Sequence, residues 1–215
     1  MRGKLIFRYG AMGSAKTAHL LMTAFNFEEK GKNVYLAKPS IDTRSGNKIS
    51  SRVPGLEKEC ILIGESDKIY DKLFNVDVPI DNLLNNIRVL PTFGYSPSCN
   101  STVILIDEAQ FLTKTQVDEL TELSDEMGYF IICYGLRTDA NTHLFEGSKR
   151  LMEISDTIEE IKSMCSCGHK AIINARLNED GSIMSDIKNQ VEIGGNDKYV
   201  SLCRSCYTSS KGYKP

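Results

Sequence analysis

Three groups of residues in this chain have types and spacing that could do chemistry. The first is Gly10-Ala11-Met12-Gly13-Ser14-Ala15-Lys16-Thr17, which has the layout of a Walker A phosphate loop. It follows a short apolar run and leads straight into a helical pattern. Backbone N–H groups of such a loop and the N-terminus of the following helix converge on phosphate oxygens. The lysine reaches the outer phosphates and the hydroxyl, here Thr17, holds Mg²⁺. The bland reading is an ordinary strand, turn and helix, which the combination of spacing and context disfavours.

The second group is the acidic end of Val103-Ile104-Leu105-Ile106, where Asp107-Glu108-Ala109-Gln110-Phe111 follows an apolar strand pattern. Acids at the carboxyl end of a parallel strand lie where open α/β sheets bind ligands. Beside a phosphate loop, Asp107 is expected to hold Mg²⁺ directly or through water. Glu108 is then free for a second task. It could deprotonate a water, giving an ATPase, or an acceptor hydroxyl, giving a kinase. Alone, the same acids could simply open the next helix, where negative charge is favourable.

The third group is Cys165-Ser166-Cys167-Gly168-His169 with Cys203-Arg204-Ser205-Cys206. Two thiolate pairs on tight turns can close a tetrahedral Zn²⁺ site, which would be structural because no coordination position stays open. The first pair has only one intervening residue, so His169 competes with Cys167 as the fourth ligand; Cys167 is favoured. Unmetallated buried thiols are the bland alternative. Cys60 and Cys133 sit in apolar runs as small core residues, Cys99 stands apart, and His19 and His143 read as ordinary residues.

These groups need a scaffold, and the chain of 215 residues has room for one large domain or an ordinary domain with a small appendage. With 41% apolar and 25% charged residues it can bury a core. A net charge of −2 argues against the basic surface that polynucleotide binding relies on. No apolar run approaches the roughly 20 residues of a membrane span. Met1 to Gly10 lacks the apolar core of a signal peptide, so a cytosolic protein is expected, where reduced thiols suit a metal site.

Short apolar runs alternate with helical patterns: Leu5 to Tyr9, then Lys16 to Lys30; Val34 to Ala37; Cys60 to Ile63, then Ser66 to Phe74; Val103 to Ile106, then Thr115 to Met127; and Tyr129 to Cys133. The expectation is an α/β protein with a parallel sheet and helices on both faces. Residues 1–160 would form this nucleotide-binding domain. Residues 161–215, with paired cysteines and short strand-like pieces, would form a small zinc-ribbon-like domain. Pro39 to Gly55 reads as a long loop, expected to act as a mobile lid carrying Arg44, Lys48 and Arg52. Asn75 to Asn100 reads as an irregular connection with one helical turn near Leu83 to Ile87.

Taken together, the segments FRYGAMGSAKT, DTRSGNKISSR, DEAQF, CYGLRTD, CSCGHKA and EIGGNDKYVSLCRSC resemble the thymidine kinases of the cytosolic, zinc-containing class found in bacteria, animals and poxviruses. The resemblance covers nearly the whole chain, least at Asn75 to Asn100. The short Cys-x-Cys knuckle and Gly135 to Asp139 are similar to the enterobacterial branch. Ala15 departs from the glycine expected in the family. The resemblance implies that Glu108 takes the proton of the deoxyribose 5′-hydroxyl, that Lys16 and Mg²⁺ on Thr17 and Asp107 stabilise the transferring phosphoryl, and that Arg44 clamps phosphate. It extends the ATP site from Gly10–Thr17 and Asp107–Glu108 to Ala109 and Gln110. It puts Met12, Phe111 and Leu136 around the thymine base, Met12 against its methyl group, and Tyr199 beside the sugar. The segment between the two cysteine pairs becomes a lasso over the nucleoside, rooted by zinc. It further implies ATP and thymidine as substrates, a homotetramer and a place in nucleotide salvage.

Two other classes of protein share some of these features. A helicase-like or packaging ATPase motor would use the same phosphate loop and acids, but needs a second motor domain or ring partner and a basic strand-binding surface. A zinc-ribbon interaction module with a decayed phosphate loop draws support from Ala15 alone.

Overall fold

In the computed structural model, which describes residues 3–74, 102–184 and 198–210, six parallel strands form one sheet. They are β1 (Lys4–Tyr9), β2 (Asn33–Pro39), β5 (Ile61–Ile63), β6 (Thr102–Ile106), β7 (Phe130–Gly135) and β8 (Thr157–Glu160). Their order across the sheet is β5-β2-β6-β7-β1-β8.

Alternation along the strands builds a core on each face. Leu5, Phe7, Ile104, Ile106, Ile131 and Cys133 face one side, where they meet α2 (Ile69–Phe74), α3 (Lys114–Met127) and α4 (Glu146–Ile154) through Ile69, Leu120 and Leu151. Ile6, Val103, Leu105, Ile132 and Tyr134 face the other, where α1 (Lys16–Glu28) contributes Leu20, Leu21 and Ala24. The expected α/β sheet with helices on both faces is what the chain forms. A capping box starts α3: the Thr113 hydroxyl accepts from Gln116 N–H at 3.2 Å and the Gln116 carboxamide accepts from Thr113 N–H at 3.1 Å.

The stretch from Pro39 to Gly55 is not irregular throughout, as a long loop was expected to be. It contains β3 (Lys48–Ser50), which pairs antiparallel with β4 (Glu57–Glu59), and Ile49 is buried among Leu20 and Leu21 of α1. Three-residue strands with charged outer faces leave no period-two signal. The edge strand β8 and helix α4 were equally silent, β8 because Glu159 and Glu160 give it the polar character of a guarded sheet edge. The connection from Asn75 to Asn100, with its expected helical turn, lies outside the described residues.

Beyond β8 the chain makes two small antiparallel ladders, β9 (Ser163–Met164) with β10 (Lys170–Ala171), and β11 (Ile173–Arg176) with β12 (Tyr199–Leu202). A last helix, α5 (Arg204–Ser210), follows. Cys165, Ala171, Ala175, Leu202 and Cys203 form a separate core there, packed against Ala11 of the phosphate loop.

A close backbone approach seats α4 against the carboxyl end of β6. A side chain at Gly147 in α4 would put its Cβ 2.6 Å from both Ala109 O and Leu112 O, so glycine lets α4 lie against the turn that follows β6. An alanine normally stabilises a helix relative to glycine by about 1 kcal/mol. Here Gly147→Ala is expected to destabilise instead, by about 1–3 kcal/mol in urea denaturation; a neutral or stabilising result would show that the turn and α4 are not tightly packed.

Candidate active site

The phosphate loop leaves β1 at Gly10, whose N–H donates to Gly135 O of β7 at 3.2 Å. Gly13 has φ 75°. Ala15 has φ 61° and ψ 26°, the left-handed region, just before α1. A methyl group there costs on the order of 1 kcal/mol, a physical reason for the glycine that the resemblance led one to expect at this position. The Ala15 carbonyl still accepts from His19 N–H at 2.9 Å, the first turn of α1. Lys16 is buried, and its ammonium donates to Gly10 O and Ala11 O, both at 2.9 Å. Burial pushes its pKa down, against the pull of the Glu108 and Asp107 charges.

Across the loop, β6 ends where Asp107 N–H donates to Ala37 O at 2.9 Å. Thr17 Oγ1 donates to Asp107 Oδ2 at 2.9 Å, so the two residues expected to share Mg²⁺ are in direct contact. Burial first, and the neighbouring Glu108 charge second, raise the Asp107 carboxyl to about 7. A divalent cation would reverse this by favouring the ionised form.

Glu108 also has a left-handed backbone, φ 51° and ψ 35°, an uncommon conformation for a non-glycine residue and one that clusters at functional sites. It opens the 3₁₀ turn Ala109–Phe111 and separates the two acids. Asp107 meets Thr17, whereas the Glu108 carboxylate accepts from Arg44 Nη2 and, at 2.5 Å, from Gln110 Nε2. The Gln110 side-chain oxygen accepts in turn from Leu136 N–H at 2.9 Å. Gln110, assigned from the sequence to the ATP site, therefore spends both ends of its buried amide on Glu108 and the end of β7.

Sequence reasoning missed what stands behind Arg44. Its Nε donates to Asp42 Oδ1 at 2.6 Å, and Asp42 Oδ2 accepts from Lys38 Nζ at 3.1 Å. Lys38 is 1% exposed and donates also to Ser45 Oγ at 3.1 Å. The available signal was a lysine inside the apolar end of β2, Leu36-Ala37-Lys38-Pro39, since a lysine is buried only when paired.

A cleft of about 500 Å³ joins these groups. Met12, Lys16, Thr17, Arg44, Asp107, Glu108 and Gln110 line it together with Phe111, Leu136 and Tyr199. Gly10, Ala11, Ser14 and Ala109 are outside its wall. The Phe111 ring meets Phe145 edge-on, centroids 5.6 Å apart, and both rings line the cleft, giving it an aromatic corner.

In the C-terminal unit the Cys165, Cys167, Cys203 and Cys206 sulfurs all lie within 4.8 Å of one another. Cys167 and Cys203 sulfurs are 3.6 Å apart, far beyond a disulfide of about 2.05 Å and close to the roughly 3.8 Å edge of a tetrahedron with about 2.3 Å Zn–S bonds. The donor set therefore fits zinc. His169 Nδ1 lies 3.4 Å from Cys167 Sγ, beside that sulfur. Backbone N–H groups of Cys167 and Cys203 lower the Cys165 thiol to about 6, favouring the thiolate that metals bind.

Comparison with known proteins adds an independent finding. A family model described as thymidine kinase matches residues 3–81 and 92–207; the gap falls within the stretch least matched in the sequence reading. The thymidine kinase of Vibrio cholerae is 40% identical over 210 residues, covering 97% of this chain and 98% of that protein. That of Photobacterium profundum is 39% identical over 212 residues, covering 97% and 98%. That of Rhodopirellula baltica is 38% identical over 202 residues, covering 94% and 86%.

The left-handed Ala15 makes a stability test. Ala15→Gly relieves about 1–2 kcal/mol of strain and loses about 0.4–1 kcal/mol to the freer unfolded chain. The expected net gain is about 0.5–1 kcal/mol in chemical denaturation, and a loss of stability would contradict the backbone geometry.

Proposed function

This chain belongs to the thymidine kinase family, and from that premise we infer how its cleft transfers the γ-phosphoryl group of ATP to the 5′-hydroxyl of thymidine. The observation that carries the mechanism is the one cleft that the phosphate loop, Met12 included, and the paired acids Asp107 and Glu108 line together with Phe111, Leu136 and Tyr199. An ATPase motor needs no pocket for a base beside its acid, and family membership does not favour that alternative.

Within the phosphate loop, Gly10 to Thr17, the backbone N–H groups of Gly13 and of Ala15 to Thr17 cradle the polyphosphate, those of Gly10, Met12 and Ser14 being taken by Gly135, Asn174 and Ala11, and Lys16 places its ammonium at the outer phosphates. Thr17 and Asp107 would hold Mg²⁺, which would supply positive charge against the charge developing on the phosphates. Glu108 accepts the proton of the attacking 5′-hydroxyl. Its suitability rests on the two donors that aim the carboxylate, Gln110 from within the turn and Arg44 from across the cleft. Arg44, anchored through Nε on Asp42 and Nη2 on Glu108, offers its Nη1 N–H groups to phosphate oxygens. Ala109 and Gln110 complete the ATP side by shaping the turn. Phe111 and Leu136 enclose the thymine with Met12 at its methyl group, and Tyr199 packs beside the deoxyribose.

Zn²⁺ on Cys165, Cys167, Cys203 and Cys206 is the structural part of this proposal, supported by the donor geometry. Residues 1–160 act as the nucleotide-binding unit and 161–215 as the zinc-rooted unit that supplies Tyr199 and the lasso. Among the described residues no helix is long and apolar enough to cross a membrane. A cytosolic location and a homotetramer complete the proposal on the strength of family resemblance.

Turnover assays test the chemistry. Wild-type protein with ATP and Mg²⁺ is expected to form ADP and thymidine 5′-monophosphate in equal amounts, and Glu108→Gln to keep ATP binding while the rate falls about 10²- to 10⁴-fold. ADP production that ignores thymidine, or a variant within about threefold of wild type, would overturn the assignment. Metal analysis tests the cysteines. About one zinc per chain is expected, with chelation lowering the melting temperature, because structural zinc contributes folding free energy on the order of 10 kcal/mol. Stable, active protein without metal would refute the site.

A further inference from the structure

The tip of the phosphate loop is held by the C-terminal unit. Met12 N–H donates to Asn174 Oδ1 at 2.8 Å, and the Ser201 hydroxyl donates to Met12 O at 2.6 Å. Both backbone polar groups of one loop residue thus end on side chains more than 160 positions away. Asn174 and Ser201 are direct cross-strand partners in the β11–β12 ladder, so they form one docking face. Asn174 is 4% exposed, and its orientation follows from the bond, since only the amide oxygen can accept from Met12 N–H.

The same face of the ladder carries more than the clamp. Tyr199 lies two residues before Ser201 on β12, hence on the same side of the strand, and it lines the cleft beside Asn174 and Met12. Cys203 follows β12 directly after Leu202. A displacement of the β11–β12 ladder by a ligand against Tyr199 therefore moves the two side chains that fix Met12, and Met12 belongs to the loop that would hold phosphate.

We propose that Asn174 and Ser201 are positioning residues that hold the phosphate-loop tip at Met12, so that seating thymidine against Tyr199 raises the affinity for ATP. The nucleoside half of this statement rests on the reading of the cleft given above; the clamp on the loop does not. Coupling of this kind is reciprocal, so ATP raises the affinity for thymidine by the same factor.

Calorimetric titration of a non-hydrolysable ATP analogue with Mg²⁺, with and without thymidine, tests it on the full chain. Wild type is expected to bind the analogue at least about fivefold more tightly when thymidine is present. Ser201→Ala and Asn174→Leu are expected to weaken binding of the analogue alone by about tenfold, as for loss of one buried hydrogen bond, and to bring the ratio with and without thymidine towards one. Ser201→Thr and Asn174→Asp keep the hydroxyl and the acceptor oxygen, so both should restore most of the affinity. A merely structural role would lower the melting temperature and leave affinity and ratio alone, which would overturn the proposal. So would equal losses in the restoring variants. If wild type phosphorylates thymidine while Ser201→Ala binds normally, the proposal falls and the kinase reading stands. If wild type binds no thymidine, the coupling falls with that reading, and the analogue titrations alone decide the clamp.

Discussion

The bond from Thr17 Oγ1 to Asp107 Oδ2, 2.9 Å long, joins the start of α1 to the end of β6, and the site is organised around it. It fixes the distance between the phosphate loop and the acidic strand end. It also occupies Asp107, so that the next residue must turn elsewhere. The left-handed backbone of Glu108 makes that turn, and Arg44 and Gln110 take up the carboxylate. Two adjacent acids thereby acquire separate environments, one buried against a hydroxyl and one held between two cleft-side donors. Separation of this sort allows one pair of carboxylates to serve a metal ion and a proton transfer.

Support for Glu108 runs outward into both edges of the cleft. On one side it passes through Arg44 and Asp42 to the buried ammonium of Lys38 in β2. On the other it passes through Gln110 to Leu136 at the end of β7. Neighbouring strands on each side of β6 therefore anchor the same side chain. Breaking such a network at a buried member leaves an uncompensated charge, which costs far more than an exposed ion pair contributes. The C-terminal unit separately supports the phosphate loop, at Met12.

Much of this was legible in the sequence. Continuous apolar runs at Leu5 to Tyr9 and Val103 to Ile106 announced buried parallel strands, and the phosphate loop, acidic pair and cysteine pairs carry chemistry at fixed spacing. The hairpin at Lys48–Ser50 was hidden because only Ile49 of its short strand faces the core. Edge strand β8 was hidden by the charges that protect it. The Lys38–Asp42–Arg44 chain and the Met12 clamp were not legible, since each depends on side chains brought together by folding, not on spacing. Gln110 was noticed as a member of the acidic motif, but its contacts with Glu108 and Leu136 belong to three dimensions.

The central claim is that Asp107 and Glu108 divide the work, one acting on the metal and the other on the proton. Mg²⁺ titration of the complex with an ATP analogue separates the two roles directly. Loss of a group that orients a metal typically weakens its binding about 10- to 100-fold. Asp107→Asn should therefore shift the Mg²⁺ midpoint by at least about tenfold, while Glu108→Gln leaves it within about twofold because its partners are Arg44 and Gln110. Equal shifts in the two variants, or a larger shift in Glu108→Gln, would contradict the division and with it the account of the site.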